Sequence, residues 1–213
     1  YSTYPYVLKT AFGHSGLGNY LIEQPSNLDK VPPNTPLNIQ PFLENRVQDC
    51  SVHFYVKDQK AHYTWTIVDT ISSRFGWEGG KPAPLPSHFK EKHQDFANHI
   101  ASMGMKGHFC FDFILTSDQQ FLLNECNPRF CASSYPSLVD KRLQLEGKWL
   151  FKKVYFNHED FLQRITSLTY DKAKGYGVII IGWTFHAKQA RIMLIGNDQE
   201  RERLNDQIQA HCG

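Results

Sequence analysis

Three oxygen-bearing side chains near the end of one predicted hairpin carry the strongest chemical signal in this chain. Residues 107–129 read Gly-His-Phe-Cys-Phe-Asp-Phe-Ile-Leu-Thr-Ser-Asp-Gln-Gln-Phe-Leu-Leu-Asn-Glu-Cys-Asn-Pro-Arg. Phe109, Phe111 and Phe113 alternate, as on one face of a strand, and Phe121 to Leu123 give the apolar part of a second strand. Thr116 to Gln119 supply turn chemistry between them. A fold near residue 118 brings Asp112 beside Glu125. Glu125 and Asn127 are two apart, so they share a face. Two carboxylates and an amide oxygen make a hard, all-oxygen site. Magnesium suits it, with substrate phosphates completing the octahedron. Arg129 offers a guanidinium to a transferring phosphoryl group. Each residue alone is ordinary, since a single strand Asp usually faces outward and Glu-x-Asn is common. The inference rests on the combination.

The elements that must hold these residues follow from periodicity and turn signals. Tyr4 to Thr10 and Asn19 to Glu23 read as strands around a flexible loop, Gly13-His-Ser-Gly-Leu-Gly18. Four prolines make residues 24–36 irregular, with one helical turn at most. Leu37 to Leu43 reads as a strand. Ser51 to Val56 and Ala61 to Val68 form a hairpin, and 72–86 a Gly/Pro-rich loop. Ser87 caps a helix to about Met103, with Phe89, Phe96, Ile100 and Met103 as its buried face. Residues 137–151 and 157–167 read as mainly helical. Gly177 to Trp183 pairs with Ala190 to Ile195, and Asp198 to Ala210 is a polar helix. Antiparallel hairpins interrupted by helices give an α+β chain.

Composition narrows the function classes. With 213 residues the chain can bury a real core. The net charge of +2, without a basic stripe, gives no reason to expect nucleic acid. No apolar run has membrane-spanning length, so no membrane partner is expected. The start, Tyr-Ser-Thr-Tyr-Pro-Tyr, is not a signal peptide. Five cysteines without zinc-like spacing read as free thiols of a cytoplasmic protein. Cys126 alternates away from Glu125 and reads as a small core residue. Ten histidines show no ligand spacing on a shared face, so a histidine metal site is not expected. Trp77-Glu-Gly-Gly80 reads as a connector.

Gly-x-x-x-x-Asp112-Phe, followed by Glu125-x-Asn-Pro-Arg thirteen residues after the Asp, resembles the magnesium hairpin of the ATP-grasp superfamily. The resemblance covers most of the chain. It implies a fold with ATP held between a small lobe, 1–43, and a large lobe, 44–213. The small lobe would carry the glycine loop and hinge strand, and the large lobe the metal hairpin. Tyr4-Pro-Tyr-Val-Leu-Lys9 resembles the family's phosphate-binding lysine strand; alone, Lys9 would read as a surface residue. Gly13 to Gly18 looks like the mobile lid, which implies phosphate contacts at Ser15, Gly16 and Gly18, with His14 simply exposed. Asn38-Ile-Gln-Pro-Phe-Leu-Glu44 resembles the adenine hinge, with Gln40 in place of the usual acid. Phe42 and the Leu43 backbone would line the ring. Asp49-Cys-Ser-Val resembles the segment whose acid binds ribose, and Glu44 is the rival for that role.

Two departures stand out. Many relatives carry an arginine two residues before the metal Asp, where this chain has Cys110. The run after Arg129, Phe-Cys-Ala-Ser-Ser134, lacks the family's glycines. The resemblance implies an ATP- and magnesium-dependent ligase, with manganese as a substitute ion. A carboxylate becomes an acylphosphate and is joined to an amine, with Lys9 and Arg129 as catalytic groups. The substrates would be a small-molecule or peptide carboxylate and an amine. The alternatives are an ATP-binding module without turnover and a phosphotransferase. The family's earlier phosphate-binding lysine has no counterpart here. A longer native protein is therefore expected, with an upstream domain or a second copy of the chain as partner.

Overall fold

The computed structural model describes residues 4–14, 16–73, 75–84 and 87–212 and has an α+β architecture built on two antiparallel sheets. The small sheet has order β2-β1-β3, formed by β1 (Tyr6–His14), β2 (Leu17–Ile22) and β3 (Leu37–Pro41). Strand alternation sorts β1. Tyr6 and Leu8 pack with Ile22, while Val7 and Lys9 face the other sheet across a cleft. The expected flexible loop is shorter than the sequence suggested: His14 pairs with Leu17 in a tight hairpin. A Cβ on Gly13 would meet Leu17 O at 2.2 Å, so the glycine serves a close backbone approach.

The large sheet runs β10-β11-β9-β6-β5-β4-β7-β8. Its strands are β4 (Arg46–Lys57), β5 (Lys60–Ile71), β6 (Trp77–Pro82), β7 (Gly107–Thr116), β8 (Phe121–Asn127), β9 (Trp149–Tyr155), β10 (Gly177–Thr184) and β11 (Gln189–Ile195). Helices α1 (Ser87–Ser102), α2 (Ser134–Leu143), α3 (Phe161–Arg164) and α4 (Asp198–Ala210) connect or cover them. Phe109, Phe111 and Phe113 are all buried with Phe54 and Val52. Asn197 and Glu200 cap α4 reciprocally, Asn197 Oδ1 accepting from Glu200 N at 2.9 Å and Glu200 Oε2 from Asn197 N at 2.8 Å. Among the described residues no helix is long and apolar enough to cross a membrane.

Two elements differ from the sequence expectation. Part of the loop 72–86 is strand β6. Its Gly79 and Gly80 look like turn formers but serve packing: a Cβ would lie 2.1 Å from Phe151 O at Gly79 and 2.5 Å from Ile67 Cγ2 at Gly80. Only glycines let β6 slot between β5 and β9. The helix expected over 137–151 stops at Leu143, where Gln144 turns left-handed with φ 58°. The apolar run from Trp149 then forms β9, because a short apolar segment has no periodicity to separate strand from helix. Residues 157–167 hold only the four-residue α3 and the start of a 3₁₀ turn.

The buried face of α1 also differs. His93, Ala97 and Ala101 are buried, whereas Phe96 is 39% and Met103 71% exposed. Phe89 lies outside the described side chains. Alanines at this seam let the helix backbone approach the phenylalanine-covered sheet, and Phe96 instead lays its ring 5.0 Å from that of Phe111. Cys126 is exposed rather than a core residue: it pairs with the buried Phe111, but β8 is the sheet's edge strand.

Candidate active site in the cleft between the sheets

A cleft of about 370 Å³ separates the small sheet from the β4-β7-β8 end of the large one. Lys9, Gly16, Gln40, Phe42, Leu43, Asp49, Asp112 and Glu125 all line it. Strand pairing makes Asp112 and Glu125 direct partners. One residue later the register slips, and Phe113 pairs with Leu123. Asn124 is therefore the extra residue of a bulge, and both Asn124 and Glu125 line the cleft. Asn124 Oδ1 accepts from Lys9 Nζ at 2.5 Å, joining the two sheets across the cavity.

Carboxylates accumulate on the large-sheet side. The Ser51 hydroxyl lies 2.6 Å from Asp69 Oδ2 and 2.7 Å from Asp112 Oδ1. A hydroxyl has one proton to donate, so keeping both bonds requires a proton on one of the two carboxyls. Burial, with Asp49 adding repulsion, pushes Asp69 up to about 7 against the hydrogen bonds from Ser51 and Trp77. Burial followed by repulsion from Asp69 raises Asp112 well above the usual carboxylate range. Burial lowers the Lys9 ammonium pKa, while Glu125 and Asp112 oppose that shift. Asn127 donates Nδ2–H to Asp112 Oδ2 at 2.9 Å.

A sequence-family model for the ATP-grasp domain matches residues 1–133. The chain belongs to the ATP-grasp family. Solved structures agree on the ATP-grasp fold. The N5-carboxyaminoimidazole synthetase of Staphylococcus aureus complexed with ADP superposes with a TM-score of 0.70 at 17% identity, over 96% of this chain and 61% of its own. The Aspergillus clavatus N5-carboxyaminoimidazole synthase, in complex with ADP and 5-aminoimidazole ribonucleotide, gives 0.71 at 14% identity over 97% and 62%. Biotin carboxylase from Campylobacter jejuni gives 0.62 at 11% identity over 92% and 54%. This chain thus spans about three fifths of these neighbours' length. No curated protein matches the sequence.

Within the ATP-grasp cleft the remaining sequence-derived residues fall in different places. Gly18 is on β2, outside the lining, and Ser15 lies outside the described residues. Asn127 is buried behind Asp112. The Arg129 guanidinium bonds Phe130 O at 3.2 Å and does not line the cleft. Asp49 lines it and Glu44 does not. The Asp49 carboxylate is already held by Arg46, through Nε at 2.8 Å and a second contact from Nη2.

Arg46, Asp69, Ser51 and Asn124 are site residues that sequence reasoning missed. Asn124 had a detectable signal. A regular antiparallel pair keeps the sum of partner numbers constant, and no single sum satisfies both the Asp112–Glu125 pair and the packed Phe113–Leu123 pair. Asp69 had none, because its proximity depends on the pairing of β4 with β5. Gly16 closes one wall. Its φ is 85°, and a Cβ there would lie 2.6 Å from Phe75 O.

Proposed function

We propose that the chain binds magnesium-ATP in this cleft and phosphorylates a carboxylate for attack by an amine. The observation that carries the reading is the Asp112–Glu125 pair, direct strand partners that line, with Lys9 opposite, a cavity reaching the hinge strand. Such a pair of carboxylates repels itself unless a cation joins it, so the residues fit a hard divalent ion. Asp112 and Glu125 would hold magnesium. Asn127 would join them once its amide turns over to present Oδ1 instead of the N–H it gives Asp112. Held there, magnesium would offset the charge on the phosphates.

The chain's own groups do the rest. Lys9, held by Asn124, supplies a fixed positive charge to the phosphates from the small-sheet side. Gln40 and the Leu43 backbone border the hinge side, where an adenine amino group would find an acceptor. Asp49 would take the ribose hydroxyls, with Arg46 keeping its carboxylate in place. Asp69 and Asp112 share the proton that their two bonds to Ser51 require, and a cation held beside Asp112 would place that proton on Asp69. Arg129 would reach the transferred phosphoryl group only by releasing Phe130 O.

The test is hydroxylamine trapping. With Mg-ATP, a panel of carboxylic acids and hydroxylamine as the amine, a ligase releases ADP and yields a hydroxamate from at least one acid. A stable phosphorylated product without hydroxamate would identify a phosphotransferase. ATP binding without ADP release from any acid would identify a module without turnover.

A further inference from the structure

The two departures from the family pattern meet in space. Cys110, on β7, is fully buried, and Cys131, half-buried, lies in the loop between β8 and α2. Their sulfurs are 2.9 Å apart, closer than unbonded sulfurs pack, though longer than the ~2.05 Å of an S–S bond. Cys131 N donates to Ser134 Oγ at 3.1 Å, which fixes the backbone that presents this thiol. Among the described residues no other cysteines are in sulfur contact. Cys126 is exposed, and Cys50 and Cys212 are buried apart.

We propose that Cys110 and Cys131 form a reversible disulfide that staples the Arg129 loop to the metal-hairpin strand. The oxidant is a hydroperoxide. The half-buried Cys131 sulfur attacks one peroxide oxygen and the O–O bond breaks, giving a sulfenic acid and releasing the other oxygen as an alcohol or water. The Cys110 sulfur then attacks the Cys131 sulfur. The S–S bond forms, the S–O bond breaks, and water leaves. In sum, two thiols and one hydroperoxide give a disulfide, an alcohol (or water) and a water. A dithiol reverses the bond by exchange. The covalent ring so closed contains Asp112, Glu125, Asn127 and Arg129, so oxidation ties together the whole hairpin end of the site.

The same thiols and His53 lie within 4.8 Å of one another, a donor set that also suits zinc. The sulfur separation favours the disulfide. Two thiolates on one zinc, at about 2.3 Å each, stand roughly 3.8 Å apart. Both His53 nitrogens already face serine hydroxyls, Ser133 at 3.0 Å and Ser134 at 3.5 Å.

The experiment uses the full chain carrying Cys126→Ser, which removes the exposed competitor. Equimolar hydrogen peroxide should lower the intact mass by two units, dithiothreitol should restore it, and a non-reducing digest should join the Cys110 and Cys131 peptides. Cys131→Ser should abolish the mass loss, and Cys110→Ala serves if that variant fails to fold. Three results would overturn the proposal: both thiols still alkylated after peroxide and unfolding, oxidation that stops at one added oxygen, or stoichiometric zinc whose removal is required before any thiol reacts.

Discussion

At the β7–β8 end of the large sheet the carboxyls of Asp112 and Glu125 stand on directly paired positions, whereas the β9–β11 end carries two successive lysines, Lys152 and Lys153, each with an acceptor of its own. Lys152 Nζ donates to Asn205 Oδ1 at 2.5 Å, and Lys153 stands 3.9 Å from Glu78. Both ends bury an equally apolar opposite face. At one end Phe109, Phe111 and Phe113 pack with Val52, and at the other Val154, Ile192 and Leu194 pack with Leu204 and Ile208 of α4. Where charges are paired within the chain they hold the fold, and where like charges collect they await a partner from outside.

The largest expected effect tests the apolar face behind the β7–β8 end. Phe111→Ala should cost about 3–5 kcal/mol of stability, as deletion of a buried aromatic ring does. A denaturant titration would show it, and a loss below about 1 kcal/mol would mean that this ring does not support the strands that carry Asp112 and Glu125. Next, Glu125→Gln should leave the unfolding midpoint nearly unchanged while weakening magnesium-dependent ATP binding by on the order of 100-fold. Even changes behind a metal's ligands cost about 10–100-fold. Calorimetry with and without magnesium measures this, and retention of full ion dependence would remove the hairpin as the metal site.

A matched pair of lysines sharpens the contrast. Lys9→Ala should weaken ATP binding roughly tenfold, the worth of one charge-assisted hydrogen bond of about 1.5 kcal/mol. Lys152→Ala should leave ATP binding unchanged and lower stability slightly. The reverse pattern would break the comparison.

The subtlest effect is a slope. Asp69 in the folded chain sits near 7, above its unfolded value of 3.8, so the folded state binds the extra proton between them. Its contribution is complete below about pH 4 and is lost as pH rises toward 7. Metal-free protein should therefore lose stability over that window, and Asp69→Asn should flatten the loss. Denaturation midpoints at pH 5 and pH 7.5 give the answer.

The β7–β8 hairpin and its Asp112–Glu125 pair were legible from residues alone, because alternating phenylalanines, a polar turn and two acids in register are all local signals. The β6 and β9 strands were not. Glycines chosen for close approach imitate turn formers, and a seven-residue apolar run has no period to read. The seam of α1 was hidden by its alanines. Arg46 and Asp69 enter the site only through strand pairing, which no local pattern reveals. Conversely, Gln40 and Asp49 were found through family likeness and lie in the cleft, while the guanidinium of Arg129, found the same way, points out of it.

Gly16 against Phe75 has a mechanical consequence. The turn before β2 and the β5–β6 connection approach there so closely that a Cβ on residue 16 would strike the Phe75 backbone. A single methyl group at residue 16 would act as a doorstop, holding the entrance ajar. Under the proposed function, nucleotide would then come and go faster in both directions, and water would enter during a reaction that gains from its exclusion.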